Sequence, residues 1–148
     1  MVIDDRDNLY IMTKITPPTA PVDLRDDPSG FVARFYERMN SDILRGDQDA
    51  DVVDRYHTPD VVQIADGVVL DRDRLVDHIR PVRRGLGEFR VEVHETIASN
   101  DAVAARLTFH AEFNQRTVVT DVHFFGRFTA DGRLSNAHQL TKTRKPAS

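Results

Sequence analysis

The residues of this chain best suited to moving a proton are its histidines. His138 lies in Arg133–Arg144, where alternation puts Leu134, Asn136, His138 and Leu140 on one side. That side is expected to face an interior hollow, together with Phe124, Leu107 and Phe109 from neighbouring runs. An unperturbed imidazole titrates near pH ~6.5, so an inward His138 gives or takes a proton at neutral pH. The other reading of His138 is a core histidine with one hydrogen-bond partner and no chemistry. Gln63 and Asn136 share the inward parity and are expected to orient a carbonyl or hydroxyl group of a bound molecule. His94, His110 and His123 take the opposite parity on adjacent strands. Three histidines suit zinc, but a contact between two copies of the chain, anchored by Phe125, accounts for the same residues, and no metal site is assigned. His57 and His78 flank buried helical positions and read as structural.

These side chains need a scaffold, and the sequence supplies one in order. Phe31, Phe35, Met39 and Ile43 recur at helical spacing, widened by Val32, Tyr36 and Leu44. A first helix is expected from Pro28 to Leu44, capped by Asp27 or Ser29 and ended by Gly46. A short helix follows over Asp49–Tyr56 and stops before Thr58-Pro59-Asp60. Val61–Ala65 and Val68–Leu70 form a hairpin about Asp66-Gly67. A third helix is expected over Asp71–Arg84, kinked or cut short by Pro81. Four long strands follow, at Phe89–Ser99, Ala102–Phe113, Thr117–Thr129 and Arg133–Arg144, with turn residues between them. Short connections imply an antiparallel meander, and helices followed by a meander read as α+β.

Composition narrows the function. The chain has 148 residues with a formal net charge of −4, which suits one domain and argues against nucleic acid as a partner. It contains no cysteine, which removes disulfides, thiolate metal sites and cysteine nucleophiles. No apolar run approaches a membrane span, and the acidic opening residues do not form a secretory signal, so a cytoplasmic protein is expected. Residues 1–27, with Pro17, Pro18 and Pro21, read as an arm, residues 28–144 as the domain and 145–148 as a tail. Phosphate loops, dinucleotide glycine fingerprints, nucleophile elbows and HExxH are absent, and no cofactor is expected.

Several phrases, in order, resemble the nuclear-transport-factor-2-like superfamily and, within it, the SnoaL-like polyketide cyclases. They are Phe35-Tyr36-Glu37, Tyr56-His57-Thr58-Pro59-Asp60-Val61-Val62, Asp71-Arg72-Asp73-Arg74-Leu75, the run from Asp101 to Phe109, and the run from Phe128 to Leu134. The resemblance implies a cone in which a strongly curved antiparallel sheet encloses a pocket closed by helices. It further implies a homodimer through the outer face of the sheet. For the site it implies a helix-one tyrosine as oxyanion donor, here Tyr36 about one turn out of that register, with packing at the pocket rim as its other reading, and Asp66 as a carboxylate base. Aligning Asp60 with the family's pre-strand acid, however, puts Ala65 at the base position, and an Asp-Gly turn is the plainer account of Asp66. The late acid of the cyclases is also missing: Lys142 stands near its place, and no tryptophan follows His138. The epoxide-hydrolase branch needs an Asp-Arg-Asp set, and this chain has Thr108 where the acid beside Arg106 belongs. The implied function is a cofactor-independent cyclase or isomerase holding a polyketide-like, mostly apolar intermediate, with His138, Asp66 and Tyr36 as catalytic candidates. The alternative is a non-catalytic small-molecule binder or dimeric accessory protein.

Overall fold

The computed structural model describes residues 23–146. The expected arm therefore lies, for residues 1–22, outside the described residues. Helix α1 spans Pro28–Arg45. Asp27 caps it, accepting from the Gly30 amide at 3.0 Å, and Pro28 occupies the first turn, where its missing N–H costs nothing. Gly46 ends α1 with φ +94°, a left-handed conformation that side chains with a Cβ resist. Helix α2 spans Asp49–Tyr56, and α3 spans Arg72–Gly85 with Asp71 as its cap. Pro81 does not end α3: it sits on the exposed side, and the helix continues to Gly85.

The strands are β1 His57–Ala65, β2 Val68–Asp71, β3 Leu86–Ser99, β4 Ala102–Phe113, β5 Arg116–Phe128 and β6 Leu134–Thr143. They form one open six-stranded sheet in the order β2-β1-β6-β5-β4-β3. The four-strand meander is antiparallel as expected, but β1 lies parallel to β6, so the sheet is mixed. β1 also starts earlier than the hydrophobic run suggests. His57 pairs with Leu134, the pairing then lapses across Pro59, and it resumes at Val62 opposite Asn136.

Two bulges decide which side chains face inward. In β3 the register shifts between Val93 and Glu95, so Thr96 and Ala98 turn inward and Ile97 turns out, 75% exposed. In β6 Leu134 pairs with Phe128, but Asn136 pairs with Arg127. One extra residue, Ser135, therefore reverses the parity of the rest of the strand. Leu134, Ala137 and Gln139 face inward, and Asn136, His138 and Leu140 face out.

The main core joins α1 to the inner face of the sheet through Val32, Phe35, Leu107, Val122, Phe124 and Leu134. A second cluster, Ile43, Val52, Val53 and Ile79, ties the three helices together. Each large side chain in these clusters contributes roughly 1.5–3 kcal/mol by leaving water. Gly126 on β5 is required by a close approach: a Cβ there would lie 2.5 Å from the Phe124 ring.

Candidate active site

The helices cover one end of the sheet's inner face, and between them lies a cavity of about 500 Å³. All nine elements contribute to its wall, which is what an enclosing cone produces. The wall is mostly apolar and aromatic, with Phe35, Tyr36, Phe89 and Phe109 prominent. Among the described residues no Asp, Glu, Lys or Arg lines it. Its polar groups are Tyr36, Asn40, His57, Gln63, His78, Thr120 and Gln139.

Tyr36 is the most constrained of these. Its ring packs edge-on against Phe35, Phe109 and Phe124, with centroids 5.2, 4.9 and 6.0 Å away. The residue is 8% exposed, and among the described residues its hydroxyl has no hydrogen-bond partner. Burial pushes the phenol well above its ordinary range, so it stays protonated and can only be satisfied by donating to, or accepting from, a guest or water.

His57, a structural residue on the sequence pattern, stands in the cavity wall. It terminates α2, and its Nδ1 lies 2.9 Å from the Val53 carbonyl oxygen. A carbonyl only accepts, so Nδ1 carries the hydrogen and Nε2 keeps its lone pair. Burial lowers its pKa, partly offset by the Val53 carbonyl and by Asp54, so the ring is held neutral. Its ring lies 6.0 Å from Phe35, the ring that Tyr36 also packs against, and both polar side chains stand in the cavity wall. The sequence signal was present in the i, i−4 relation to Val53 at a helix end, but a histidine there usually only caps.

The other expected site residues divide. Gln63 and Phe109 stand in the cavity wall. Leu107 and Phe124 are buried behind it, 0% and 3% exposed, because Tyr36 and Phe128 cover Phe124 and Leu107 is packed within the core. His138 and Asn136 do not face the cavity: the bulge at Ser135 puts both on the outer face, exposed. Asp66 is not placed as a base. It sits in the β1–β2 turn with φ +51°, accepting from the Thr141 amide at 2.8 Å and the Thr141 hydroxyl at 2.6 Å. These bonds, the hydroxyl's first, lower its pKa, the opposite of the shift a proton-abstracting carboxylate needs.

The outer-face histidines are separately employed. His94 bonds Thr108 at 2.7 Å, His110 bonds Glu92 at 3.0 Å, and His123 stands opposite Arg106. Among the described residues no group of three or more metal-ligating side chains forms. Asp121 is held by two bonds from Arg144, which with Thr108 bring its pKa down to about 2.

Three helices on one curved sheet, around a cavity with a few isolated polar groups, form an α+β cone. The family profile described as "SnoaL-like domain" matches residues 32–137, and the chain belongs to that family. Solved structures agree on the fold. IdmH from Streptomyces antibioticus, described as a putative polyketide cyclase, is 20% identical with TM-score 0.55, covering 78% of this chain and 91% of that one. BvnE pinacolase from Penicillium brevicompactum is 15% identical with TM-score 0.63, covering 84% and 89%. An epoxide hydrolase of M. tuberculosis, described as LEH-like, is 20% identical with TM-score 0.56, covering 78% and 85%. No curated protein matches the chain in sequence. Among the described residues no helix is long and apolar enough to cross a membrane.

Proposed function

We propose that this protein is a cofactor-independent cyclase or isomerase for a polyketide-like, mostly apolar intermediate, with Tyr36 and His57 as its proton-handling pair. The observation that carries the reading is the buried Tyr36 hydroxyl, which has no partner among the described residues and stands in the wall of an uncharged cavity. A carbonyl oxygen of the substrate accepts from Tyr36. His57 Nε2 takes a proton from the carbon beside that carbonyl, the C–H electron pair passes to the enolate oxygen, and Tyr36 stabilises the charge. In a cyclisation the enolate carbon then bonds to a second carbonyl of the same chain, and the imidazolium returns its proton to the new alkoxide. In an isomerisation the proton returns to a different carbon. The lowered pKa makes His57 a weak base, suited to a carbon flanked by two carbonyls, whose proton is unusually acidic. Holding the chain folded supplies part of the acceleration, several kcal/mol in well-oriented systems.

The lack of any carboxylate in the wall favours one other reading, a binder without turnover. Incubation with a synthetic aryl β-keto ester carrying a second ketone, followed by chromatography and mass spectrometry, separates the two. Tyr36→Phe and His57→Asn are each expected to cut turnover at least ~10²-fold while the ester still binds. Unchanged turnover in both variants would overturn the assignment, and binding without turnover in the wild type would establish the binder. We further propose association of two copies through the outer face, where Ile97, Phe125 and Leu140 are 75%, 57% and 66% exposed around an open hollow.

A further inference from the structure

The cavity has a second polar position, on the seam between β1 and β6. Gln63 pairs with Ala137, and Ala65 pairs with Gln139, so the two glutamines are diagonal neighbours on adjacent parallel strands. Gln139 also pairs with the buried Phe124, which fixes its side chain on the inner face. Both residues stand in the cavity wall, and neither amide has a side-chain partner among the described residues. Long side chains reach across such a diagonal, so the two amides can address one group together. Each offers two N–H donors and a carbonyl acceptor.

The seam lies away from Tyr36 and His57. Gln63 is six residues beyond His57 along β1, up to about 20 Å at strand rise. Tyr36 packs on Phe109 of β4, and β5 separates β4 from β6, about 10 Å across the sheet. The Gln63–Gln139 seam is therefore a polar position of the wall separate from Tyr36 and His57. Among the described residues the wall has no lysine or arginine, so an ionised carboxylate or phosphate would enter without such a partner.

Resting on the reading of this cavity as the substrate site, we infer that Gln63 and Gln139 form an amide clamp. The clamp holds a neutral carbonyl or hydroxyl group at the end of an elongated substrate remote from Tyr36 and His57, and the uncharged wall rejects the corresponding carboxylate. These two residues then determine specificity, since they read the far end of the molecule and place its reactive end.

Three naphthalenes test this. They are 2-acetonaphthone, its hydrocarbon analogue 2-isopropylnaphthalene, and 2-naphthoate. The chain has no tryptophan, so naphthyl fluorescence reports binding directly. Wild-type protein at pH 8 is expected to bind the ketone at least ~10-fold more tightly than the carboxylate. Gln63→Leu and Gln139→Leu are each expected to weaken the ketone about 5-fold, the net worth of one hydrogen bond, while leaving the hydrocarbon unchanged or tighter. Where a Leu variant fails to fold, Gln→Met removes the amide and keeps the chain length. Equal weakening of ketone and hydrocarbon, no weakening of either, or a wild-type preference for naphthoate would overturn the clamp. Its failure is distinct from failure of the catalytic reading. Loss of the ketone–hydrocarbon difference in the glutamine variants supports the clamp even where no β-keto ester is turned over. Turnover that depends on Tyr36 and His57 stands even where the glutamines do nothing.

Discussion

Tyr36→Phe should stabilise the protein while abolishing most of its activity. The substitution removes one oxygen and leaves the ring, so the edge contacts to Phe35, Phe109 and Phe124 persist and the core loses no apolar surface. What disappears is a buried hydroxyl with no protein partner among the described residues. Leaving such a group unpaired costs about 1–3 kcal/mol. The hydroxyl borders a cavity that can admit water, which recovers part of that cost, so the lower end applies, a gain of about 1 kcal/mol. For a domain of this size that raises Tm by roughly 3–4 °C. Urea unfolding followed by circular dichroism, without ligand, measures it, and an unchanged denaturant slope shows that the folded and unfolded states stayed comparable. Turnover should fall ~10²–10³-fold, as when one oxyanion donor is removed. A variant that loses more than about 1 kcal/mol would refute the reasoning, because the hydroxyl would then hold a bond that supports the fold rather than waiting for a guest.

Five further outcomes follow from named contacts. His57 has a depressed pKa in the fold, so stability is complete above the unfolded value of about 6.5 and is lost as pH falls through the lower folded value; His57→Asn should flatten that limb of a urea-unfolding series from pH 7.5 to 5. Asp47 and Asp121, with folded pKa values of about 2 against an ordinary 3.8, contribute stability above 3.8 that is lost only as pH falls toward 2, so the two limbs are separable. Asp42→Asn should cost about 2 kcal/mol in denaturant titration, chiefly through the 2.5 Å bond from Tyr56, because the Arg45 and Arg55 side chains are 62% and 45% exposed and their pairing is screened. Gly126→Ala should cost about 1–3 kcal/mol by driving a methyl into the Phe124 ring, and Phe125→Asp should convert the proposed dimer to a monomer in sedimentation.

Local signals with a single physical meaning were legible in the sequence. Asp27-Pro28 at one end of α1 and Gly46 at the other bracket the helix because capping, proline and left-handed glycine each act on their own few residues. The turn residues Asn100 and Asn114 take positive φ, as their side chains allow, and so delimit β4 at Ala102–Phe113, where composition placed it. The parallel seam between β1 and β6 was not legible, because it joins residues more than seventy positions apart, such as Gln63 and Ala137, and no local pattern records that distance.

The site was harder to read for a related reason. Face assignment by alternation assumes that every residue advances the pleat by one step, and a single unpaired residue breaks that assumption for the rest of the strand. Ser135 carries no hydrophobic mark, so the Leu134–Leu140 run looked like one face, and His138 was credited with an interior it does not enter. The same shift brought Gln139 inward, beside Gln63, where the count had placed a histidine. In the proposed reaction proton transfer falls to His57, at a helix end whose geometry is fixed by a backbone carbonyl rather than by strand parity. Among the described residues the wall lacks Asp and Glu, in keeping with these placements: Asp66 is spent on Thr141, and Asp121 on Arg144 at the outer face. The proposed chemistry runs on a neutral imidazole and a phenol, which confines it to substrates whose own carbonyls make the transferred proton acidic.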